Sequence, residues 1–111
     1  MKIYLAGPYS HPDPTVRHER FESLNAIAAR IMEEGHIVFS PISHSHPIAV
    51  QCDLPKGFEF WSELDRSFVD WCDEVWIADL PGRHESAGLL EEIEYARSVG
   101  KPVEVYGYGV M

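Results

Sequence analysis

Segments with the pattern of a β-strand alternate with segments with the pattern of an α-helix along this sequence. Short apolar runs predict four strands, and apolar residues at helical spacing predict three helices between them. The strands are expected at Lys2–Ala6, His36–Ser40, Val75–Ala78 and Pro102–Tyr106, and the helices from Asp13 to Gly35, from Phe58 to Cys72 and from Ala87 to Val99. Such alternation implies right-handed crossovers between parallel strands. We therefore predict an α/β fold with three layers and a mostly parallel sheet, of the flavodoxin or Rossmann kind.

In open α/β sheets, ligands bind beyond the carboxyl ends of the strands. After the first strand the sequence reads Gly7, Pro8 and Tyr9, and we expect these three residues to contact a ligand. This segment lacks the glycine spacing and the lysine of a Walker motif, and it is not a dinucleotide fingerprint.

The stretch from Pro41 to Gly57 interrupts the alternation. It contains three prolines, so we expect a long loop. His44 and His46 would face the same way on an extended segment, which is compatible with zinc or nickel. A metal site needs a third ligand, and none stands at a suitable spacing. We therefore expect no metal and assign both histidines to the lining of a ligand pocket.

Length and charge limit the classes of partner. A chain of 111 residues is enough for one domain, which we expect to span residues 1–111. The formal net charge of −9 argues against a nucleic acid polymer as partner. The sequence has no membrane-spanning run and no signal-peptide pattern, and Cys52 and Cys72 lack zinc-ligand spacing. These features predict a cytoplasmic protein with reduced thiols and no membrane partner.

Two carboxylates stand where helical periodicity places apolar residues. Glu92 lies on the flank of the face formed by Leu89, Leu90, Ile93, Ala96 and Val99. Asp65 lies within the stripe formed by Trp61, Leu64, Phe68 and Cys72. A half-buried carboxylate is costly unless it is neutralised, paired or used. A pair of acids is the usual equipment for displacement at a sugar anomeric carbon; the alternative is that Asp65 pairs with an arginine such as Arg66.

The start of the last helix has the pattern of an anion site. Ser86 is a good N-cap, and the first N–H groups of the helix lie at the positive end of its dipole. Gly88 would let a ligand approach the backbone, and Arg83 precedes the turn. The pattern fits a phosphate or carboxylate cradle as well as a plain helix cap.

Four motifs along nearly the whole chain resemble the nucleoside 2-deoxyribosyltransferase-like superfamily, including its deoxynucleoside monophosphate N-glycosidase branch and its small bacterial and phage members. The motifs are Ile3-Tyr-Leu-Ala-Gly-Pro8, Trp61-Ser-Glu-Leu-Asp65 with Cys72-Asp73, Leu80-Pro-Gly82 with Ser86-Ala-Gly88, and Glu92-x-x-Tyr-Ala96 with Gly100-Lys-Pro-Val103. Their order and spacing carry the likeness.

This resemblance implies roles for individual residues. Glu92 falls on the nucleophilic glutamate of the superfamily, Asp65 on its second active-site acid and Tyr4 on the tyrosine that hydrogen-bonds the nucleophile. Ser86 matches the serine that contacts the 5′-phosphate. The implied activity is that of an N-glycosidase or N-(deoxy)ribosyltransferase acting on a nucleoside 5′-monophosphate. It requires no cofactor, and the superfamily usually completes its pockets across a subunit interface, so we expect a homodimer or a higher homo-oligomer.

Two other functions stay open at this point. One is a non-catalytic nucleotide-binding or sensing module with the same fold. The other is a metal-dependent hydrolase that uses His44 and His46.

Overall fold

The computed structural model describes residues 1–107. Its elements, in chain order, are β1 (Lys2–Ala6), α1 (Pro14–Glu33), β2 (Ile37–Phe39), α2 (Pro41–Cys52), α3 (Phe58–Trp71), β3 (Glu74–Ala78), α4 (Ala87–Ser98) and β4 (Val103–Tyr106). The strands form one sheet in the order β2-β1-β3-β4, and all three pairings are parallel. The predicted α/β fold with a parallel sheet is confirmed. No helix in this described part is long and apolar enough to cross a membrane.

The two faces of β1 pack into two separate apolar clusters, because successive side chains of a strand point to opposite faces. Ile3 and Leu5 join a cluster with Leu24, Ile27 and Ile31 of α1. Tyr4 and Ala6 join the other cluster, with Val69 of α3 and with Leu89 and Ala96 of α4. Helices therefore cover both faces of the sheet, which gives the three predicted layers.

The ends of α1 follow the local signals in the sequence. The Asp13 carboxylate accepts a hydrogen bond from the Thr15 amide at 2.9 Å, and Pro14 occupies the first helical position. Gly35, just after the helix, has a φ of +99°, a conformation that favours glycine. Both predicted boundaries are confirmed.

The predicted loop from Pro41 to Gly57 is wrong for most of its length, because Pro41–Cys52 forms α2. Pro41 stands at the start of the helix, where its missing N–H is not needed. Pro47 lies inside the helix and is tolerated there, while Asp53 ends it in the left-handed conformation with a φ of 53°. Residues two apart do not face each other on a helix, so His44 and His46 point in different directions.

The apolar face predicted for α4 is also too broad. Leu90 is 49% exposed and Val99 is 42% exposed, whereas Leu89 and Ala96 are buried. The helix packs on the sheet through a narrower stripe than periodicity suggested, and Glu92 lies within this stripe.

Candidate active site

Glu92 and Asp65 are buried acids on neighbouring helices. Each is only 8% exposed, although their helices carry many exposed acids. Glu92 stands three residues after Leu89 and four before Ala96, so it shares their buried face of α4. Asp65 stands four residues before Val69, a buried residue of α3. Because α3 and α4 cover the same face of the sheet, the two carboxylates come together.

Tyr4 links the sheet to this acid pair. It lies in the middle of β1, is fully buried, and donates its hydroxyl hydrogen bond to the Glu92 carboxylate. Tyr4 and Glu92 are 88 residues apart in the sequence. The pairing therefore depends on the position of α4 against β1, and it fixes one oxygen of Glu92.

Asp65 has no compensating partner among the described residues. Its buried Oδ1 atom makes no hydrogen bond. The neighbouring Arg66 does not pair with it; the Arg66 guanidinium lies over the rings of Phe58 and Tyr95, 6.0 and 5.2 Å from their centres. A buried polar atom without a partner costs free energy, and such atoms call for an explanation such as catalysis or an absent ligand.

Burial changes the proton affinity of both acids. Burial raises the pKa of Asp65 from 3.8 to about 7. Burial, followed by the negative charge of Asp65, raises the pKa of Glu92 from 4.5 to about 8, while the hydrogen bond from Tyr4 acts in the opposite direction. Around neutral pH the pair therefore holds one or two protons and is equipped to exchange them.

Both acids line one pocket at the carboxyl end of the strands. Its volume is about 60 Å³, or about 540 Å³ when the space open to solvent is included. Residues expected to contact a ligand that do line it are Gly7, Tyr9, His46, Ser86 and Gly88. Pro8 is fully buried and does not line the pocket, and Tyr4 lies behind Glu92.

The first turn of α4 forms one edge of the pocket. Ser86 is a helix cap as predicted, since its Oγ atom accepts a hydrogen bond from the Leu89 amide at 3.3 Å. Gly88 faces the pocket beside Phe58. Arg83 is directed elsewhere, because its Nε atom pairs with Asp79 at 3.0 Å. The predicted anion site therefore has the N-terminus of α4 at the pocket, but Arg83 does not contribute to it.

A second polar group of the pocket involves residues that the sequence did not single out together. The hydroxyl of Tyr9 lies 2.6 Å from Nδ1 of His46, and Nε2 of His46 lies 3.3 Å from Nδ1 of His18. His18 belongs to α1, and no sequence signal connects it with His46. Lys56, between α2 and α3, also lines the pocket and was not predicted.

His44 and the cysteines lie apart from this site. The ring of His44 packs against Phe39 with 5.8 Å between ring centres, outside the pocket lining. Cys52 is exposed and Cys72 is buried, and both are free thiols. Within residues 1–107 there is no group of three histidine, cysteine or acidic side chains that could hold a metal ion.

Comparisons with known proteins support the fold. The family model described as Domain of unknown function (DUF1937) matches residues 1–108. Among solved structures, a 2-deoxyribosyltransferase from the psychrotolerant bacterium Bacillus psychrosaccharolyticus superposes with a TM-score of 0.61, at 24% identity, over 95% of this chain and 71% of that one. No curated protein matches the sequence. The resemblance found in the motifs is thus confirmed at the level of the fold.

Proposed function

We propose that this chain, which belongs to the DUF1937 family, is an N-glycosidase or N-(deoxy)ribosyltransferase that acts on a nucleoside 5′-monophosphate with Glu92 as nucleophile. The observation that supports the proposal is the pair of buried acids in one pocket. Tyr4 donates a hydrogen bond to Glu92, and the buried Oδ1 atom of Asp65 has no hydrogen-bond partner among the described residues. A purely structural role would leave two costly buried groups unexplained. The likeness in fold to a 2-deoxyribosyltransferase supports the same reaction class.

In this mechanism the acid pair reacts with its single proton on Asp65, and the ionised Glu92 attacks the anomeric carbon of the sugar. Because the pKa of Glu92, about 8, lies above that of Asp65, about 7, this is the less populated of the two forms with one proton. The bond from that carbon to the base breaks, and a glycosyl ester forms on Glu92. Asp65 gives its proton to the departing base, for which its raised pKa of about 7 suits it. Tyr4 holds the Glu92 carboxylate in the attacking orientation. Water then releases the sugar in a hydrolase, and a second base takes it in a transferase.

The remaining pocket residues would bind the nucleotide. The α4 end at Ser86 and Gly88 suits the 5′-phosphate, because backbone N–H groups and the helix dipole favour an anion there. Gly7, Tyr9 and His46 would contact the sugar or the base from the other side of the strand ends. A domain of this size has little depth, so we propose that a second copy of the chain completes the pocket.

The test is a panel of ribo- and deoxyribonucleoside 5′-monophosphates, read by chromatography for free base. Glu92→Gln keeps the size of the side chain and removes its charge, so turnover should fall by several orders of magnitude. The matched control is Glu91→Gln, an exposed acid of the same helix, which should retain full turnover. Circular dichroism would verify that both variants fold.

Each outcome separates the possible functions. Base release that persists unchanged in Glu92→Gln would remove Glu92 from the mechanism. Nucleotide binding without base release from any member of the panel would favour a non-catalytic binding module. Release by wild type and its loss in Glu92→Gln alone would support the proposal.

A further inference from the structure

Three side chains in contact, those of Tyr9, His46 and His18, connect the pocket with the surface of α1. Tyr9 contacts His46, and His46 contacts His18, at the distances of 2.6 and 3.3 Å given above. His46 is buried and packs against the ring of Phe21, with 4.5 Å between ring centres. His18 lies at the outer end with 56% of its side chain exposed. The proposed reaction uses Tyr9 and His46 only as pocket lining and does not use His18.

The hydrogen bonds that link Tyr9, His46 and His18 run in a common direction. Burial, followed by the neighbouring basic residues His18, Arg17 and Lys56, lowers the pKa of His46, so its ring is neutral at pH 7. A neutral imidazole has one N–H group and one lone pair. Because both ring nitrogens of His46 are engaged, one must donate and the other must accept.

The outer end of the chain favours one of the two directions. Nε2 of His18 lies 3.7 Å from the Glu22 carboxylate, which attracts a proton to that nitrogen. Nδ1 of His18 then carries the lone pair and accepts from Nε2–H of His46. Nδ1 of His46 in turn accepts the hydroxyl proton of Tyr9. The positive charge of Arg17 opposes the rise in the Tyr9 pKa that burial causes.

We infer that His18 and His46 are positioning residues that hold the Tyr9 proton away from the pocket, so that Tyr9 accepts a hydrogen bond from the ligand and selects a nucleobase bearing an amino group over one bearing a carbonyl. The ligand class in this inference rests on the proposed function. The phosphate is assigned to the end of α4 and the sugar carbon to Glu92. The base is therefore left for the side of the pocket where Tyr9 and His46 lie.

The same three side chains make the selection depend on His18. A side chain at this position that cannot accept a hydrogen bond would leave the His46 proton free to move to Nδ1. There it would be donated to Tyr9, whose own proton would turn towards the pocket.

The ionisable groups near these three side chains come from identified elements. Arg17, His18, Arg20 and Glu22 belong to α1, and Lys56 follows α2. The two acids of the pocket come from α3 and α4. Of these groups, only His18 contacts His46 through a ring nitrogen in the described structure, which makes it the residue to change.

The proton arrangement can be tested without any ligand. Nitrogen-15 NMR of labelled histidine distinguishes protonated from unprotonated ring nitrogens. At about pH 8 we expect His46 to carry its proton on Nε2, with Nδ1 bare. A proton on Nδ1 of His46 at that pH would overturn the inference.

The selectivity test uses matched nucleotide pairs that differ in one group. We expect deoxyadenosine monophosphate to bind at least tenfold more tightly than deoxyinosine monophosphate at about pH 8, and deoxycytidine monophosphate more tightly than deoxyuridine monophosphate. Calorimetry on Glu92→Gln measures binding without turnover. Tyr9→Phe should reduce each ratio to within about threefold, and His18→Leu, which cannot accept a hydrogen bond from His46, should also lower each ratio. His84→Leu, at an exposed histidine outside the pocket lining, is the control that should keep each ratio.

The outcomes distinguish this inference from the proposed function. Nucleotide binding with no preference for the amino group, or a preference that survives in Tyr9→Phe, would overturn the inference alone. A clear preference without base release by wild type would overturn the proposed reaction alone. Absence of binding by every nucleotide would overturn both.

Discussion

Replacing Asp65 by asparagine should stabilise the protein at alkaline pH and have much less effect at acid pH. Asp65 is buried with an unsatisfied oxygen, and its pKa is raised from 3.8 to about 7. An acid whose pKa is higher in the folded chain than in the unfolded chain favours folding when it is protonated. Its contribution is full below about pH 4 and is lost as the pH rises to about 7.

The size of this effect follows from the pKa change. A shift of about three units at about 1.4 kcal/mol per unit corresponds to about 4 kcal/mol of lost stability above pH 7. Between pH 5 and pH 9 the wild type should lose about 3 kcal/mol of this amount, and Asp65→Asn, which cannot ionise, should lose none of it. The asparagine amide itself costs about 1–3 kcal/mol if it lacks partners, but this cost is the same at both pH values.

Urea unfolding followed by circular dichroism at pH 5 and pH 9 measures the difference. The change in unfolding free energy caused by Asp65→Asn should be about 3 kcal/mol more favourable at pH 9 than at pH 5. Glu63→Gln removes an exposed acid from the same helix and should show no such difference. An equal effect of Asp65→Asn at both pH values would refute the view that Asp65 is a strained buried acid.

Three further predictions concern activity and assembly. The rate should be highest between about pH 7 and 8, where the Asp65–Glu92 pair holds one proton. Tyr4→Phe should lower the rate and move the alkaline limb of the pH–rate profile upwards, because loss of its hydrogen bond raises the Glu92 pKa and leaves less of this acid ionised; a pH–rate profile of both proteins checks this. A nucleoside 5′-monophosphate should bind more tightly than its nucleoside by about 1–3 kcal/mol in calorimetry, and equal affinities would leave Ser86 as a helix cap only. Light scattering should give a mass of at least twice the 12.6 kDa of one chain, and a monomer that still binds nucleotide would contradict the shared pocket.

The order of strands and helices was predictable because each element has its own local signal. Asp13-Pro14 and Gly35 fixed both ends of α1, since capping depends only on neighbouring residues. The prediction for Pro41–Cys52 was wrong because the prolines of this segment suggest a loop, while contacts with residues distant in sequence support a helix. His46 and Ala49 are buried in the folded chain, and this burial outweighs the local signal.

The candidate site was predictable in part. Asp65 and Glu92 stood out because a carboxylate on a buried helix face breaks the apolar pattern. Helical periodicity could not predict that the two carboxylates lie close together, because their proximity depends on the packing of α3 beside α4. Tyr4 came from the resemblance alone, since the alternation of β1 fixes its face but not a partner 88 residues away. His18 was missed for the same reason, as its contact to His46 joins two helices.

The pocket is assembled from both sides of the sheet, and the two sides differ in chemistry. The acids come from α3 and α4, whereas Tyr9 and His46 come from the loop after β1 and from α2. β1 lies inside the sheet between β2 and β3, so its carboxyl end is where groups from both sides converge. One side then holds two acids with raised pKa values, and the other holds the hydrogen-bonded side chains of Tyr9, His46 and His18. Substitutions of the acids should therefore act first on the rate, and substitutions of the ring chain first on the choice of base.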